Sequence, residues 1–263
     1  MIQDILMSAA DLSALENLIR KLENTSTLTD EERQAIRRLP ATIRLIVPGQ
    51  DLVQDGERPG QCGLIVEGWS YRYKLLDEGR RQILSFHVVG DVPDLQSLHL
   101  GVLDHSLAAL TPCTFALIPH ESLRRLTRTY PDVAALLWRE TLVDAGIFRI
   151  WITAIGRRSA YGRIAHLFCE LYLRQEAVGL AADLRCPMPL RQTDLADATG
   201  LTTVHVSRVM KALRTEGLIT LRDRLLIIHD WSRLAEAAKF NPTYLHLTNT
   251  QAMGDESDRP VRI

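Results

Sequence analysis

The 263-residue sequence has four cysteines, and no two of them are close enough to form a CxxC pair. Cys62, Cys113, Cys169 and Cys186 therefore lack the local spacing of a zinc or iron–sulfur site. We expect four reduced, mostly buried thiols. No metal and no other cofactor is expected.

Long apolar runs are also missing. No segment approaches the run of about 20 apolar residues that a membrane-spanning helix needs, so no membrane span is expected. Residues 1–23 include Asp4, Asp11 and Glu16 among their apolar residues. They lack the basic start and the small-residue cleavage site of a signal peptide. These absences favour a cytoplasmic protein.

The sequence has no excess of charge of one sign. It carries 31 Lys and Arg against 32 Asp and Glu, a net charge of −1. A near-neutral charge argues against a protein that coats nucleic acid without sequence preference. It is compatible with a sequence-specific DNA-binding protein whose basic residues lie on one face.

Within the first 120 residues, the pattern of apolar and turn residues changes at residue 41. Before it, Thr29 and Glu32 form the pattern of a capping box that opens a short helix, which ends at Pro40. From 41 to about 118, short runs of Val, Ile and Leu alternate with turn residues, and glycines fall at the breaks. This spacing predicts an antiparallel β-barrel or roll.

A longer helix is predicted from Pro131, a residue that suits the first helical turn. Apolar residues recur along it at spacings of three, four or seven: Val133, Leu136, Val143, Ile147, Ile150 and Ala154. The spacing predicts a seam for another helix, either in the same domain or in a dimer partner. A second helix is predicted from about Tyr161 to Gln175, followed by a linker with Cys186, Pro187 and Pro189.

The strongest functional signal is QTDLADATGLTTVHVSRVMK, residues 192–211. A helix-turn-helix packs two short helices across a tight turn, so it needs a small residue at the crossing and a glycine in the turn. Ala196 and Gly200 supply these, and Thr202 is a suitable N-cap for the second helix. The predicted inner face is Leu195, Ala198, Leu201, Val206 and Val209. A helical hairpin packed into a core is the alternative.

The second helix of this motif is expected in the major groove of DNA. Its outward residues are Thr203, Val204, Ser207 and Arg208, of which Arg208 can pair bidentately with guanine. Phosphate contacts are expected from Arg191, Gln192, Thr202 and Lys211. The following LRTEGLITLRDRLLIIHD predicts a wing of two strands. Arg222 and Arg224 at its tip either contact phosphate or are solvated.

These motifs resemble the Crp/Fnr regulator family over about residues 12–235. The resemblance rests on RQTDLADATGLTTVHVSRVMKALRTEGLI, on the wing with LIIHDWSRLAEAA, and on GLIVEGWSYRYKLLDEGRRQILSFHVVGDVPDLQSL. It implies an α+β fold: an N-terminal antiparallel β-roll of the cyclic-nucleotide-binding kind, a long dimerisation helix and a C-terminal winged helix-turn-helix. The implied divisions are 1–130, 131–156, 157–240 and a tail, 241–263.

The resemblance implies a transcription regulator without catalytic activity. Such a regulator binds double-stranded DNA as a homodimer, on a pseudo-palindromic operator whose half-sites lie about 34 Å apart. RNA polymerase is a candidate partner. Well-known members carry Glu where this chain has Val204, so we expect a different base preference at that position.

The family's effector pocket corresponds to residues 90–110. Members that bind cyclic AMP carry Gly-Glu and Arg-Ser pairs there, whereas this chain has Pro93-Asp94 and His105-Ser106. The pocket candidates are Asp94, Leu95, Gln96, Ser97, His105 and Ser106. Because a cyclic phosphate favours a permanently charged donor, an unidentified effector, or none, is expected.

Other sensing modes and classes remain as alternatives. A cyclic-nucleotide-responsive or haem-responsive regulator is one, with His87, His99 and His105 as haem candidates. The cysteine group of the oxygen-sensing members is missing before Cys62. A cupin-like enzyme would need a cluster of metal ligands, for which only His87 is suitably placed. A protein-interaction module with a vestigial winged domain is the last alternative.

Overall fold

An antiparallel roll forms the N-terminal part of the computed structural model, which describes residues 4–6 and 12–247. Its strands are β1 (Asp4–Leu6), β2 (Thr42–Ile46), β3 (Asp51–Val53), β4 (Gln61–Glu67), β5 (Ser70–Leu75), β6 (Arg81–His87), β7 (Ser106–Ala109) and β8 (Cys113–Pro119). They form two four-stranded sheets, in the orders β1-β2-β8-β4 and β3-β7-β5-β6. The predicted roll is confirmed.

The turn between β4 and β5 shows why glycine is needed at one break of the pattern. Gly68 has φ +85°, and a Cβ placed on it would lie 2.2 Å from the carbonyl oxygen of Pro112. Glycine has no Cβ, and it adopts positive φ without steric cost. This close approach lets the two sheets meet at the Trp69 end of β5.

Five helices surround the roll or follow it. They are α1 (Leu12–Glu23), α2 (Asp30–Arg37), α3 (His120–Thr129), α4 (Pro131–Arg157) and α5 (Ala160–Ala177). The capping box of Thr29 and Glu32 opens α2, as predicted. Helix α5 is slightly longer than predicted, and Ser159 caps its start by accepting a hydrogen bond from the N–H of Gly162. Within residues 4–6 and 12–247, no helix is long and apolar enough to cross a membrane.

Helix α4 has one face packed within its own chain and one face exposed. Of the six residues of the predicted seam, Val133, Ile147 and Ala154 are buried in the chain's own interior. That part of the seam is therefore intramolecular, the first of the two alternatives. The exposed face carries four other large apolar side chains, here called the α4 stripe: Trp138, Leu142, Ile152 and Ile155.

The C-terminal part is a winged helix-turn-helix. It contains β9 (Arg185–Pro187), α6 (Gln192–Thr199), α7 (Thr203–Thr215), β10 (Ile219–Arg222), β11 (Leu225–Ile228) and α8 (Trp231–Ala238). The three strands pair in the order β10-β11-β9. The prediction of a linker around Cys186 and Pro187 was wrong, because these residues pair with Leu226 and Leu225 of β11. Burial of Cys186 fixes the strand despite its short length.

The chain folds back after α8. Pro242–Leu245 forms a 3₁₀ turn, and the hydroxyl of Tyr244 donates to the carboxylate of Glu170 in α5 at 2.8 Å. The Nη2 of Arg139 in α4 donates to the carbonyl of His246. Residues 241–247 of the expected tail are therefore packed against α4 and α5. Residues 248–263 lie outside the described residues.

Candidate DNA-binding site

The helix-turn-helix is built as its sequence predicts. Gly200 adopts the left-handed conformation, with φ 65° and ψ 38°, and its N–H donates to the carbonyl of Ala196. The hydroxyl of Thr202 caps α7 by accepting from the N–H of His205 at 3.2 Å. Four residues of the predicted inner face, Leu195, Ala198, Val206 and Val209, are buried, and Leu201 is half-buried.

The outer face of α7 is exposed, unlike that of a helical hairpin packed into a core. The predicted base-reading residues are all exposed: Thr203, Val204, Ser207 and Arg208. His205 is exposed beside them, although the outward spacing left it out. The predicted phosphate contacts Arg191, Gln192, Thr202 and Lys211 are also exposed. The structure thus leaves both sets accessible to solvent on the winged domain.

The wing ends in a two-residue turn. Asp223 and Arg224 both have positive φ, 51° and 62°, as a type I′ hairpin turn requires. The carbonyl of Arg224 accepts from the N–H of Met188 at 2.7 Å, which fixes the turn against the segment before α6. Arg222 is exposed and forms an ion pair with the neighbouring Asp223 at 3.3 Å.

The acidic residues of the motif are held in ion pairs. Asp194 and Asp197 are the carboxylates between Arg191 and Lys211, and Arg81 of the roll forms ion pairs with both. Asp194 is also fully buried. Because ion pairs compensate these negative charges and the exposed face of α7 carries Arg208 and Lys211, that face presents a net positive charge. Such a surface attracts DNA phosphate.

The six effector-pocket candidates do not converge on one space. Asp94 is buried and accepts from the N–H of Gly63, and burial raises its pKa to about 6. Ser97 lies 3.0 Å from the Nε2 of His120, and Ser106 accepts from the N–H of Asp55. Leu95 and Gln96, in contrast, line a cleft with an empty volume of about 880 Å³ that is partly open to solvent.

His105 does not offer the charge that a cyclic phosphate favours. Its Nδ1 lies 2.7 Å from the carboxylate of Asp104, and its Nε2 lies 3.3 Å from the side-chain nitrogen of Gln96. Burial lowers the pKa of His105 below its ordinary value. The imidazole is therefore neutral near pH 7.

The cleft holds charged residues that the sequence did not single out. Arg72 of β5 is buried, donates from Nε to the carbonyl of Pro93 at 2.8 Å, and forms an ion pair with Asp144 of α4. Arg174 of α5 pairs with Asp91 at 2.9 Å. Nothing in the local sequence marks the Arg72–Asp144 and Arg174–Asp91 pairs, since their partners lie 72 and 83 positions apart in the chain.

The haem candidates are dispersed. His87 is buried with its Nε2 2.7 Å from the hydroxyl of Ser85, His105 is bound to Asp104, and His99 is exposed. No group of three or more His, Cys, Asp or Glu side chains among the described residues is arranged to hold a metal ion. The four cysteines are unpaired and buried, as expected.

Comparison with known proteins identifies both parts of the chain. Residues 162–237 match the Crp-like helix-turn-helix domain, and residues 43–130 match the cyclic nucleotide-binding domain. The nitrogen fixation regulation protein FixK of Rhizobium meliloti is 32% identical over 186 residues, covering 70% of this chain and 81% of that protein. The transcriptional activator protein FnrL of Cereibacter sphaeroides is 29% identical, covering 72% and 77%.

A solved structure gives the same result. FixK2 from Bradyrhizobium japonicum superposes with a TM-score of 0.68 at 27% identity, covering 75% of this chain and 96% of that one. Sequence and fold therefore agree on the arrangement of roll, long helix and winged domain. The chain belongs to the Crp/Fnr family of DNA-binding transcription regulators.

Proposed function

We propose that this protein binds a pseudo-palindromic operator as a homodimer and reads each half-site with α7. The observation that carries the proposal is the exposed, positively charged outer face of α7. Arg208 would pair with guanine, and Thr203, Val204 and Ser207 would contact neighbouring base edges. Arg191, Gln192, Thr202, Lys211, Arg222 and Arg224 would hold the phosphates.

Arg208 is suited to base recognition because its guanidinium has no competing partner among the residues that the structure describes. No hydrogen bond or ion pair engages its side chain within the described part of the chain, and the residue is exposed on the first turns of α7. A recognition helix contacts base edges with residues near its N-terminus. Val204 has no acceptor in its side chain, so it would contribute apolar contact to a thymine methyl group.

The α4 stripe supports the homodimer. Trp138, Leu142 and Ile152 follow spacings that keep them on one side of α4, and Ile155 lies at its edge. An exposed apolar patch on a long helix is a typical interaction surface. A second copy of α4 packed there would cover the stripe and relate the two winged domains by a two-fold axis.

A binding measurement on variants of α7 tests the proposal. Against an operator selected from random DNA, Arg208→Ala should lose about 5- to 150-fold in affinity for each half-site, because a bidentate guanine contact is lost. Val204→Ala should alter base preference only modestly. Arg214→Ala is the matched control, since Arg214 is an exposed arginine in the last turn of the same helix. Unchanged affinity of Arg208→Ala in a gel-shift assay would contradict the assignment.

Binding to an operator also bears on the location of the protein, its partners and its need for an effector. The protein would act in the cytoplasm, and RNA polymerase is a candidate partner once the dimer is bound. The role requires no catalytic group. The roll would respond to an effector of unknown identity or act without one, since no contact in the cleft favours a cyclic nucleotide or haem.

A further inference from the structure

We infer that Arg81, on strand β6 of the roll, is a positioning residue for DNA binding. It holds helix α6 of the winged domain and so fixes the orientation of α7 relative to α4. The inference rests on the proposed function, in which α4 carries the dimer contact and α7 reads the half-site. It assigns the roll a direct mechanical part in recognition, independent of any effector.

The guanidinium of Arg81 is fully engaged. Its Nε donates to Asp197 at 2.9 Å, its Nη2 donates to Asp194 at 3.0 Å, and its Nη1 donates to the hydroxyl of Tyr71 at 2.9 Å. The same group lies over the ring of Tyr71, 4.8 Å from the centroid. The neighbouring Gln82 donates to the carbonyl of Asp197 at 2.7 Å. We call this set of contacts the β6–α6 clamp.

One end of the clamp lies inside α6. Asp194 is the third residue of that helix, and one of its oxygens accepts from the N–H of Arg191 at 2.9 Å. The other oxygen accepts from Arg81. Asp194 is completely buried, and Arg81 at 3.0 Å and the Nε of the exposed Arg191 at 3.3 Å compensate its charge, because an unpaired buried carboxylate is strongly destabilised. The geometry therefore ties the first turn of α6 to the roll.

The orientation of α6 determines that of α7. The two helices are joined by the tight turn at Gly200, and Ala196 of α6 and Val206 of α7 lie in the same buried cluster. The same turn lies beside α4, since a Cβ on Gly200 would be 3.7 Å from the Cγ2 of Ile155. In a homodimer joined through α4, the docked orientation of α6 therefore determines the distance between the two α7 helices. That separation must match one turn of DNA, about 34 Å.

A spacing experiment tests the clamp. Wild type, Arg81→Gln and Arg80→Gln are titrated against three kinds of duplex: the selected operator, operators with one base pair added to or removed from the spacer, and a single half-site. Arg80 is the matched control because it is the adjacent arginine, 75% exposed, and pairs with the exposed Glu78. Asp197→Asn is a second variant that weakens the clamp and leaves the Asp194 cap in place.

Arg81→Gln and Asp197→Asn should weaken binding to the full operator about tenfold, because two half-sites are no longer engaged in one fixed geometry. The preference for the selected spacer should flatten, half-site binding should stay unchanged, and Arg80→Gln should behave as wild type. Three results would overturn the inference: full-operator binding equal to that of Arg80→Gln, tighter binding, or equal losses on half-site and full operator.

Amide hydrogen exchange tests the clamp without DNA. Exchange over Gln192–Thr199 should be faster in Arg81→Gln than in Arg80→Gln, and equal rates would refute the clamp. If wild type selects no operator but this difference is present, the proposed function fails and the docking of α6 stands. If wild type selects an operator and the exchange rates are equal, the clamp fails and the proposed function stands.

Discussion

Arg72 places a positive charge in the interior, where the roll meets α4. The residue is 3% exposed, pairs with Asp144, and lies 5.5 Å from the ring centroid of Phe148. The pairing holds the pKa of Asp144 below its ordinary value despite burial. Removing one partner of such a pair leaves the other charge uncompensated.

Arg72→Met should therefore lower the free energy of unfolding by about 3 kcal/mol. Urea denaturation measures the change, with Arg80→Met as the exposed control that should have little effect. The double variant Arg72→Met, Asp144→Leu should recover much of the loss, because the unpaired carboxylate is gone. Equal stability of Arg72→Met and Arg80→Met would contradict the buried-pair interpretation.

Two buried histidines make stability depend on pH. Burial lowers the pKa of His87 to about 4 and that of His166 to about 3. The unfolded chain thus binds these protons more readily, so their contribution is full above about pH 6.5 and decreases as the pH falls toward 4. Asp94 has the opposite sign, since its raised pKa costs stability as the pH rises through about 6.

Burial also lowers the pKa of His105 and His120 and raises that of Glu170. Because four buried histidines oppose two buried carboxyls, thermal stability should fall from pH 6.5 to pH 4. His87→Gln should reduce this fall by up to about 3 kcal/mol, since one of the neutral imidazoles is removed. Calorimetry across the pH range measures it. The exposed His99→Gln should keep the wild-type dependence, and a His87→Gln profile identical to it would refute the assignment.

At the scale of elements, α4 serves two surfaces. Its inner face buries Val133, Leu137, Ile147 and Trp151, and the α4 stripe faces outward.

Leu142→Asp should weaken self-association about a hundredfold, because it places an unpaired charge in the proposed interface. Sedimentation velocity measures the mass. Leu45→Asp on β2 is the control, since Leu45 is 57% exposed and Leu142 is 55% exposed; equal masses for both variants would rule out the stripe as the interface.

Elements with strong local signals could be predicted from the sequence, and those held by distant contacts could not. Gly200 and Thr202 mark the helix-turn-helix because their roles depend on the adjacent backbone. Strand β9 has three residues and exists through its pairing with β11. The turn at Pro242–Leu245 depends on Tyr244 reaching Glu170 in α5. The apolar spacing of α4 also could not decide which face meets a partner.

At the scale of the whole molecule, the roll and the winged domain share one hydrophobic core. Phe86 of β6 packs edge to face with Trp151 of α4 at 6.0 Å, and the same cluster continues through Phe168 of α5 to Leu213 of α7. The order of roll, long helix and winged domain was predictable from the sequence. The β6–α6 clamp was not, because Arg81 and Asp197 lie 116 positions apart in the chain.

Selection of bound sequences from random double-stranded DNA by the wild-type protein tests whether α7 reads DNA as part of a homodimer. We expect enrichment of two inverted half-sites centred one helical turn apart, each with a guanine for which the Arg208→Ala variant loses its preference. No enrichment, or enrichment of a single unpaired half-site, would contradict a dimeric reader built on α7.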